Sequence, residues 1–318
     1  MKNRLAFLLL PAMLACASQA SADTLTVGPG KTYALPSAAA AAARAGDTIQ
    51  ISSGTYTDCA QWDADRLVIE GMGPDVVITG PVCGDKGLFI TRGADITIRY
   101  LTFKGARATT HNGAGIRGEG AILTVENSRF IDNDDGILGG LNGQDTIVIK
   151  NSSFQGNGNC IALCAHGIYI GHIALLRVEN SQFTEQHEGH HIKSRAARTE
   201  ITGSTIQDNA NGSASYLVDI PNGGSALISG NQFEKGPKSQ NRQVAISVGA
   251  EGASNPPGEI IVKDNVFTND TGVATAFVKN YSTLTVSLSG NRFSGAVTPL
   301  SGPPAPGNDA GASGDRHP

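Results

Sequence analysis

Aliphatic and polar residues alternate along most of the chain, and the alternation keeps returning in the same form. Segments 96–103, 123–130, 147–154, 176–183, 228–233, 261–267 and 286–293 each carry alternating aliphatics, then a small residue or asparagine, then an aromatic two positions later. Such alternation predicts strands with one buried face. The period is mostly in the twenties and no helical pattern lies between the segments. That is the pattern of a solenoid in which each repeat is one coil. The expected fold is all-β, a single-stranded parallel β-helix. Phe103, Phe130, Phe154, Phe183, Phe233, Phe267 and Phe293 are expected to stack inside it. Asn127, Asn151, Asn180, Asn231, Asn265 and Asn291 are expected to form an amide ladder at a turn, each bonding the coils above and below.

A second strand of each coil aligns on Ile116, Ile137, Ile168, Ile192, Val218 and Ile246. If these point into the core, alternation sends the next residue outward. The outward row is then Arg117, Leu138, Tyr169, Lys193, Asp219 and Ser247, with His191 and Arg195 bracketing Lys193 and Glu119 beside Arg117. Coils repeat about every 4.8 Å, so Tyr169, Lys193 and Asp219 are expected to meet along one face. His166, His190 and Tyr216 form a further row two positions before the inward aliphatics. Strict alternation buries that row, where imidazoles need hydrogen-bond partners; a corner of the coil would turn it to the cleft instead.

Composition changes this picture little. Glycine is abundant at 40 residues and aromatics make up 5%, a turn-rich β composition. The formal charge of −4 supplies no basic surface for nucleic acid. Residues 1–22 read as a signal peptide, with Lys2 and Arg4 before an apolar run and Ala20-Ser21-Ala22 as the cleavage site. The run is shorter than the roughly 20 residues of a membrane span, and nothing later is long enough. Met13 does not suit the start of a lipobox ahead of Cys16. The β-helix is expected over 23–300, as a monomer, followed by a disordered tail at 301–318. Cys59, Cys83, Cys160 and Cys164 remain after cleavage, an even count that in an exported chain indicates two disulfides. Cys59–Cys83 across neighbouring coils and Cys160–Cys164 within a loop is the preferred pairing of three. Asp132, Asp134 and Asp135 crowd one turn, and their oxygens make calcium a candidate ligand.

The entry segments Val27-Gly-Pro-Gly-Lys31, the alanine-rich 36–45 and 46–56 resemble the start of pectin-lyase-like right-handed β-helices. The resemblance implies a short N-terminal helix capping the solenoid and blocking edge-to-edge association. A second resemblance rests on Asn133-Asp134-Asp135-Gly136, Asn159-Cys160-Ile161-Ala162, His166-Gly167 and His191-Ile192-Lys193. These are similar, in the same order, to the serial motifs of polygalacturonase-type glycoside hydrolases. It implies an acidic site residue at Asp135, a catalytic helper at His166 and a substrate-binding cation at Lys193. The paired aspartates of that family are missing, because Asn157-Gly158-Asn159 stands in their place. An inverting hydrolase needs carboxyls about 6.5–9.5 Å apart, whereas Glu119 and Asp219 lie four coils apart, about 19 Å.

The leading expectation is therefore β-elimination or C5-epimerisation of a uronate-containing polysaccharide. Both remove a proton next to a carboxylate, which takes cations, a base and, for elimination, an acid. Lys193 and Arg195 are the expected carboxylate ligands, and Arg117 is a further expected substrate-binding residue. His191 or His166 is the expected base and Tyr169 the acid, with Lys193 as an alternative base if its neighbours lower its pKa. Asp219 joins the substrate-binding set. No cofactor is required, calcium being optional. Hydrolysis is one alternative; a noncatalytic carbohydrate-binding solenoid is another.

Overall fold

The computed structural model describes residues 22–303 apart from 141 and 162. The expected signal segment through residue 21, and the tail from residue 304, lie outside the described residues. Each coil is built of three short strands, as in Ile122–Glu126, Arg129–Ile131 and Asp135–Gly139. Each strand pairs in parallel with its counterpart one coil on: Val125 with Ile149, Phe130 with Phe154, Ile137 with Ile168. Among the described residues this produces sheets of eleven, ten and ten strands, called A, B and C in the order the chain meets them within a coil. Val125, Phe130 and Ile137, one from each sheet, are fully buried. The core is thus a column with three walls, and burial of these rows is the main force holding it.

Phe103, Phe130, Phe154 and Phe183 stack face to face, with centroids 5.2, 4.6 and 4.6 Å apart. Ile206 takes the next place in the row before Phe233 resumes it. Phe293, near the end of the described solenoid, is 38% exposed. The helix Pro36–Ala42 packs on the first coils, with Ala39 fully buried. Proline opens it, and Asp58 Oδ2 accepts the Ser37 N–H at 2.8 Å, satisfying one of the free donors of the first turn. Disulfides Cys59–Cys83 and Cys160–Cys164 are both formed. Among the described residues no helix is long and apolar enough to cross a membrane.

The asparagine ladder differs from expectation. Asn231, Asn265 and Asn291 form it, each Oδ1 accepting the backbone N–H of the ladder residue one coil earlier, at 2.8 to 3.0 Å. Earlier coils use Ser128, Ser152, Ser181 and Ser204 in the same place, the hydroxyl accepting the corresponding N–H. Asn127, Asn151 and Asn180 instead stand one position before it, with φ of 49°, 48° and 48°. The chain turns there through the left-handed region, which asparagine tolerates better than most residues. In later coils Gly203, Gly230 and Gly290 hold that turn. Residues spelled alike in the repeat thus do two different tasks.

Candidate functional site

Sheet C carries the outward row in the expected register: Arg117, Leu138, Tyr169, Lys193, Asp219 and Ser247 are successive cross-strand partners. The row of His166, His190 and Tyr216 also faces outward, because the residues between it and the inward row of Ile168, Ile192 and Val218 break the alternation: His191 and Leu217 are buried like the aliphatics that follow them. The rings of His166 and His190 stack at 4.8 Å, and those of His190 and Tyr216 at 4.9 Å. The His166 ring meets the Tyr169 ring edge-on at 4.9 Å. The backbone N–H of His190 donates to His166 Nδ1 at 3.0 Å, and that of Tyr216 to His190 Nδ1 at 3.2 Å. With Nδ1 accepting, a neutral ring carries its proton on Nε2. Both imidazoles therefore present donors. His190 Nε2 lies 3.6 Å from Asp219 Oδ2.

Beside this ladder stands a cationic pair. Lys193 Nζ lies 5.9 Å and the Arg195 guanidinium 5.1 Å from the Tyr169 ring centre, within cation–π range. Both cations hold one carboxylate, that of Glu251. Lys193 Nζ donates to its Oε1 at 2.9 Å, while Arg195 Nη2 donates to Oε2 at 2.7 Å and Nε to Oε2 at 3.1 Å. Lys193 Nζ is also 3.5 Å from Asp219 Oδ2. Glu251 escaped the sequence reading because it lies in the irregular segment after Val244–Val248, where the strand alternation gives no facing. Its being an acidic residue among glycines and alanines two coils beyond Arg195 was the available signal.

Other expected site residues are not brought here. His191 is a correction: the slip in alternation that puts His190 outward puts His191 inward, and its Nε2 meets Asp208 Oδ1 at 2.8 Å with both side chains buried. Ser239 donates to the other Asp208 oxygen at 2.5 Å. Lys235, fully buried nearby, donates to Ser215 O at 2.8 Å, and burial lowers its pKa to about 8. His191 thus belongs to a polar brace behind the sheet. Arg117 is three coils from Lys193, beside Glu119, which Lys86 and Arg92 hold at 2.6 and 3.0 Å. Asp132, Asp134 and Asp135 do not converge. Asp132 pairs with Arg107, Asp134 accepts the N–H groups of Ala108 and Gly113, and Asp135 accepts the N–H of His166. Among the described residues no group of three His, Cys, Asp or Glu side chains is arranged to hold a metal. Asp135 is fully buried, and burial pushes its carboxyl well above the usual range.

The family described as right-handed β-helix region matches at residues 136–302, just over half of the chain and all of the site. The chain belongs to the right-handed β-helix family. Among solved structures this β-helix is similar to the alginate lyase from Paenibacillus sp. str. FPU-7, at 17% identity and a TM-score of 0.57, over 87% of this chain and 99% of that one. It is also similar to pectate lyase Pel9A, at 16% identity and a TM-score of 0.51, over 92% and 82% of the two chains. At such identities the likeness shows the fold. No curated protein matches the sequence.

The electrostatics of this β-helix divide its site groups. Burial lowers His190 to about 3, aided by the positive charges of Lys193 and Lys235. Burial also takes His166 well below its ordinary value, with His190, Lys193 and Arg195 adding to the shift. Burial raises the Asp219 carboxyl against the pull of Lys193. Glu251 feels a burial penalty too, but hydrogen bonds from Lys193 and Arg195 hold it below the usual carboxylate range. The histidine ladder should make the fold acid-sensitive. An unfolded histidine protonates near pH 6.5, and the folded rings refuse that proton, so stability is full above that pH. It should decline as pH falls, by about 1.4 kcal/mol per pH unit for each ring, until the folded rings protonate. For His190 that limit is near pH 3. Urea midpoints at pH 7 and pH 5 check this, and His190→Phe should shrink the difference. An unchanged difference would remove the ladder from the account.

Proposed function

We propose that this is an exported enzyme that abstracts the C5 proton of a uronate in an acidic polysaccharide lying across sheet C. The observation that carries the reading is the convergence of Lys193 and Arg195 on one carboxylate beside Tyr169. A C5 proton becomes removable when its carboxylate is neutralised, because the charge released on proton loss spreads onto the carboxylate oxygens. Lys193 and Arg195 supply that neutralisation, the arginine through its planar fork. His166 and His190 offer Nε2–H donors to the same oxygens or to a neighbouring hydroxyl.

Tyr169 is assigned the proton transfer. His191 is enclosed behind the sheet, and His166 has its free lone pair engaged by the His190 N–H, which removes both from the role of base. Lys193 contacts the carboxylates of both Asp219 and Glu251 and is assigned the role of a cation. In elimination Tyr169 enters as its phenolate, its own proton first given to solvent; its oxygen takes the C5 proton, the C5–H electron pair forms C4=C5 as the C4–O4 bond breaks, and the departing O4 takes that proton back from Tyr169. In epimerisation a proton returns to the opposite face of C5. The alginate lyase and the pectate lyase share this solenoid, and the reading extends acidic polysaccharides to this chain as its substrate class. The reading needs no cofactor, since side chains provide the charge; calcium would be an accessory, detected by titration with a chelator. Two disulfides accord with an oxidising periplasmic or extracellular setting.

The pair Asp219 and Glu251 favours hydrolysis as a second reading. Both contact the Lys193 ammonium, and their carboxyls are shifted in opposite directions, as an acid and its partner base require. One panel separates the outcomes. Protein lacking the signal segment is incubated with alginate, polygalacturonate, hyaluronan and bacterial exopolysaccharides. Ultraviolet absorbance from a conjugated C4=C5 bond identifies elimination, and new reducing ends without it identify hydrolysis. Inverted C5 signals by NMR with neither identify epimerisation. Binding with no chemical change would make the protein a noncatalytic solenoid.

A further inference from the structure

We infer that Glu251 is a specificity-determining residue: a resident carboxylate in the substrate's carboxylate seat, which only an incoming carboxylate replaces without leaving Arg195 unpaired and Lys193 with Asp219 alone. The inference rests on the reading of those two residues as the carboxylate grip. Four contacts define the seat. Lys193 Nζ reaches Oε1 at 2.9 Å; Arg195 Nη2 reaches Oε1 at 3.0 Å and Oε2 at 2.7 Å, and its Nε reaches Oε2 at 3.1 Å. This is the bidentate arrangement an arginine makes with any carboxylate, supplemented by a lysine. The cations are the enclosed partners here, with side chains 12% and 17% exposed, whereas Glu251 is 41% exposed. Partly desolvated cations are costly to leave without a counter-charge. A neutral sugar that pushed Glu251 aside would incur that cost, and a uronate would not.

Exchange needs little movement. The Glu251 backbone is tied down, its N–H donating to Pro221 O at 2.9 Å. The same segment is pinned again at Asn255, whose side-chain amide donates to the carbonyls of Arg195, Ala196 and Gly223 at 3.0 to 3.2 Å. The frame therefore stays in place while an exposed side chain rotates out. Nothing in the repeat demands an acid at this position, since the segment lies between strands. Asp219, the other carboxylate on Lys193, is 4% exposed and cannot leave in this way.

The test is isothermal titration of wild type, Glu251→Gln and Glu251→Ala with short oligomers of mannuronate, guluronate and galacturonate, and with neutral oligomers of mannose and galactose. Thermal melts establish that the variants are folded. Removing the internal competitor should tighten binding of an acidic oligomer by about threefold to tenfold, the scale of a partly exposed ion-pair network. Wild type should take neutral oligomers far more weakly than acidic ones. Acidic oligomers binding both folded variants equally or more weakly would overturn the inference while leaving the carboxylate grip intact. So would neutral oligomers binding wild type as tightly as acidic ones. If no form binds any acidic oligomer, the grip itself is wrong, and the inference falls with it.

Discussion

Lys193→Ala is expected to lower turnover of the uronate polymer by about a hundredfold to a thousandfold, the usual consequence of removing one preorganised donor from a developing negative charge. The loss should fall mainly on kcat, because Arg195 continues to hold the ground-state carboxylate. Tyr169→Phe should cost about a hundredfold to ten-thousandfold by removing the proton carrier while keeping the ring that the cations rest against. Neither residue packs in the core, so the thermal midpoint should stay close to that of wild type. Loss of Lys193 has a second effect that a purely structural residue would not produce. Lys193 is the main group opposing the burial that raises Asp219, so Lys193→Ala should move an Asp219-linked inflection in the pH profile further upward. Steady-state rates across pH on the polymer identified by the substrate panel check both points. Turnover retained in Lys193→Ala and Tyr169→Phe would sink the assignment of this site.

Phe154→Ala should destabilise the solenoid by about 3–5 kcal/mol, the range for deleting a large aromatic from a packed core. Phe154 stacks at 4.6 Å on Phe130 and at 4.6 Å on Phe183. It also lies against Gly136, where a Cβ would come within 2.7 Å of its ring. The backbone has thus already approached as near as the ring allows, and the stacked neighbours have no freedom to slide into the gap. A cavity therefore remains, and the coils on either side lose the contact that joins them. In a solenoid, stability is close to a sum of neighbour interfaces, so the damage should centre on that coil. Equilibrium urea unfolding measures the loss, with hydrogen exchange locating it. A change below about 1 kcal/mol would mean the core closes around the gap, contrary to the rigidity assigned to it here.

How far the sequence reaches can be judged from particular residues. The sheet C row from Arg117 to Ser247 was legible because a strand has a period of two and each coil restarts at an inward aliphatic, so register follows from pattern. The phenylalanine stack and the capping helix were legible for the same local reason. Preference for two short-range disulfides also held. The asparagines were misread because a repeat specifies residue types, and neighbouring turn positions accept the same type: Asn127 is needed for its φ and Asn231 for its amide. His191 was misread because alternation slips at the start of the strand His190–Ser194, where His191 and Ile192 are both buried in succession and His190 is displaced to the outer side.

The sequence by itself thus determined the solenoid, its stacked phenylalanine core and the run of side chains along one face, since each depends on contacts repeated at a constant offset. Only the tertiary structure decided three matters: that His166 and His190 stack on the outer side of sheet C with each Nδ1 accepting a backbone N–H, that His191 braces the sheet from behind, and that Glu251 sits between Lys193 and Arg195. Each depends on a break in alternation or a loop joining residues from different coils, and no local periodicity carries that information.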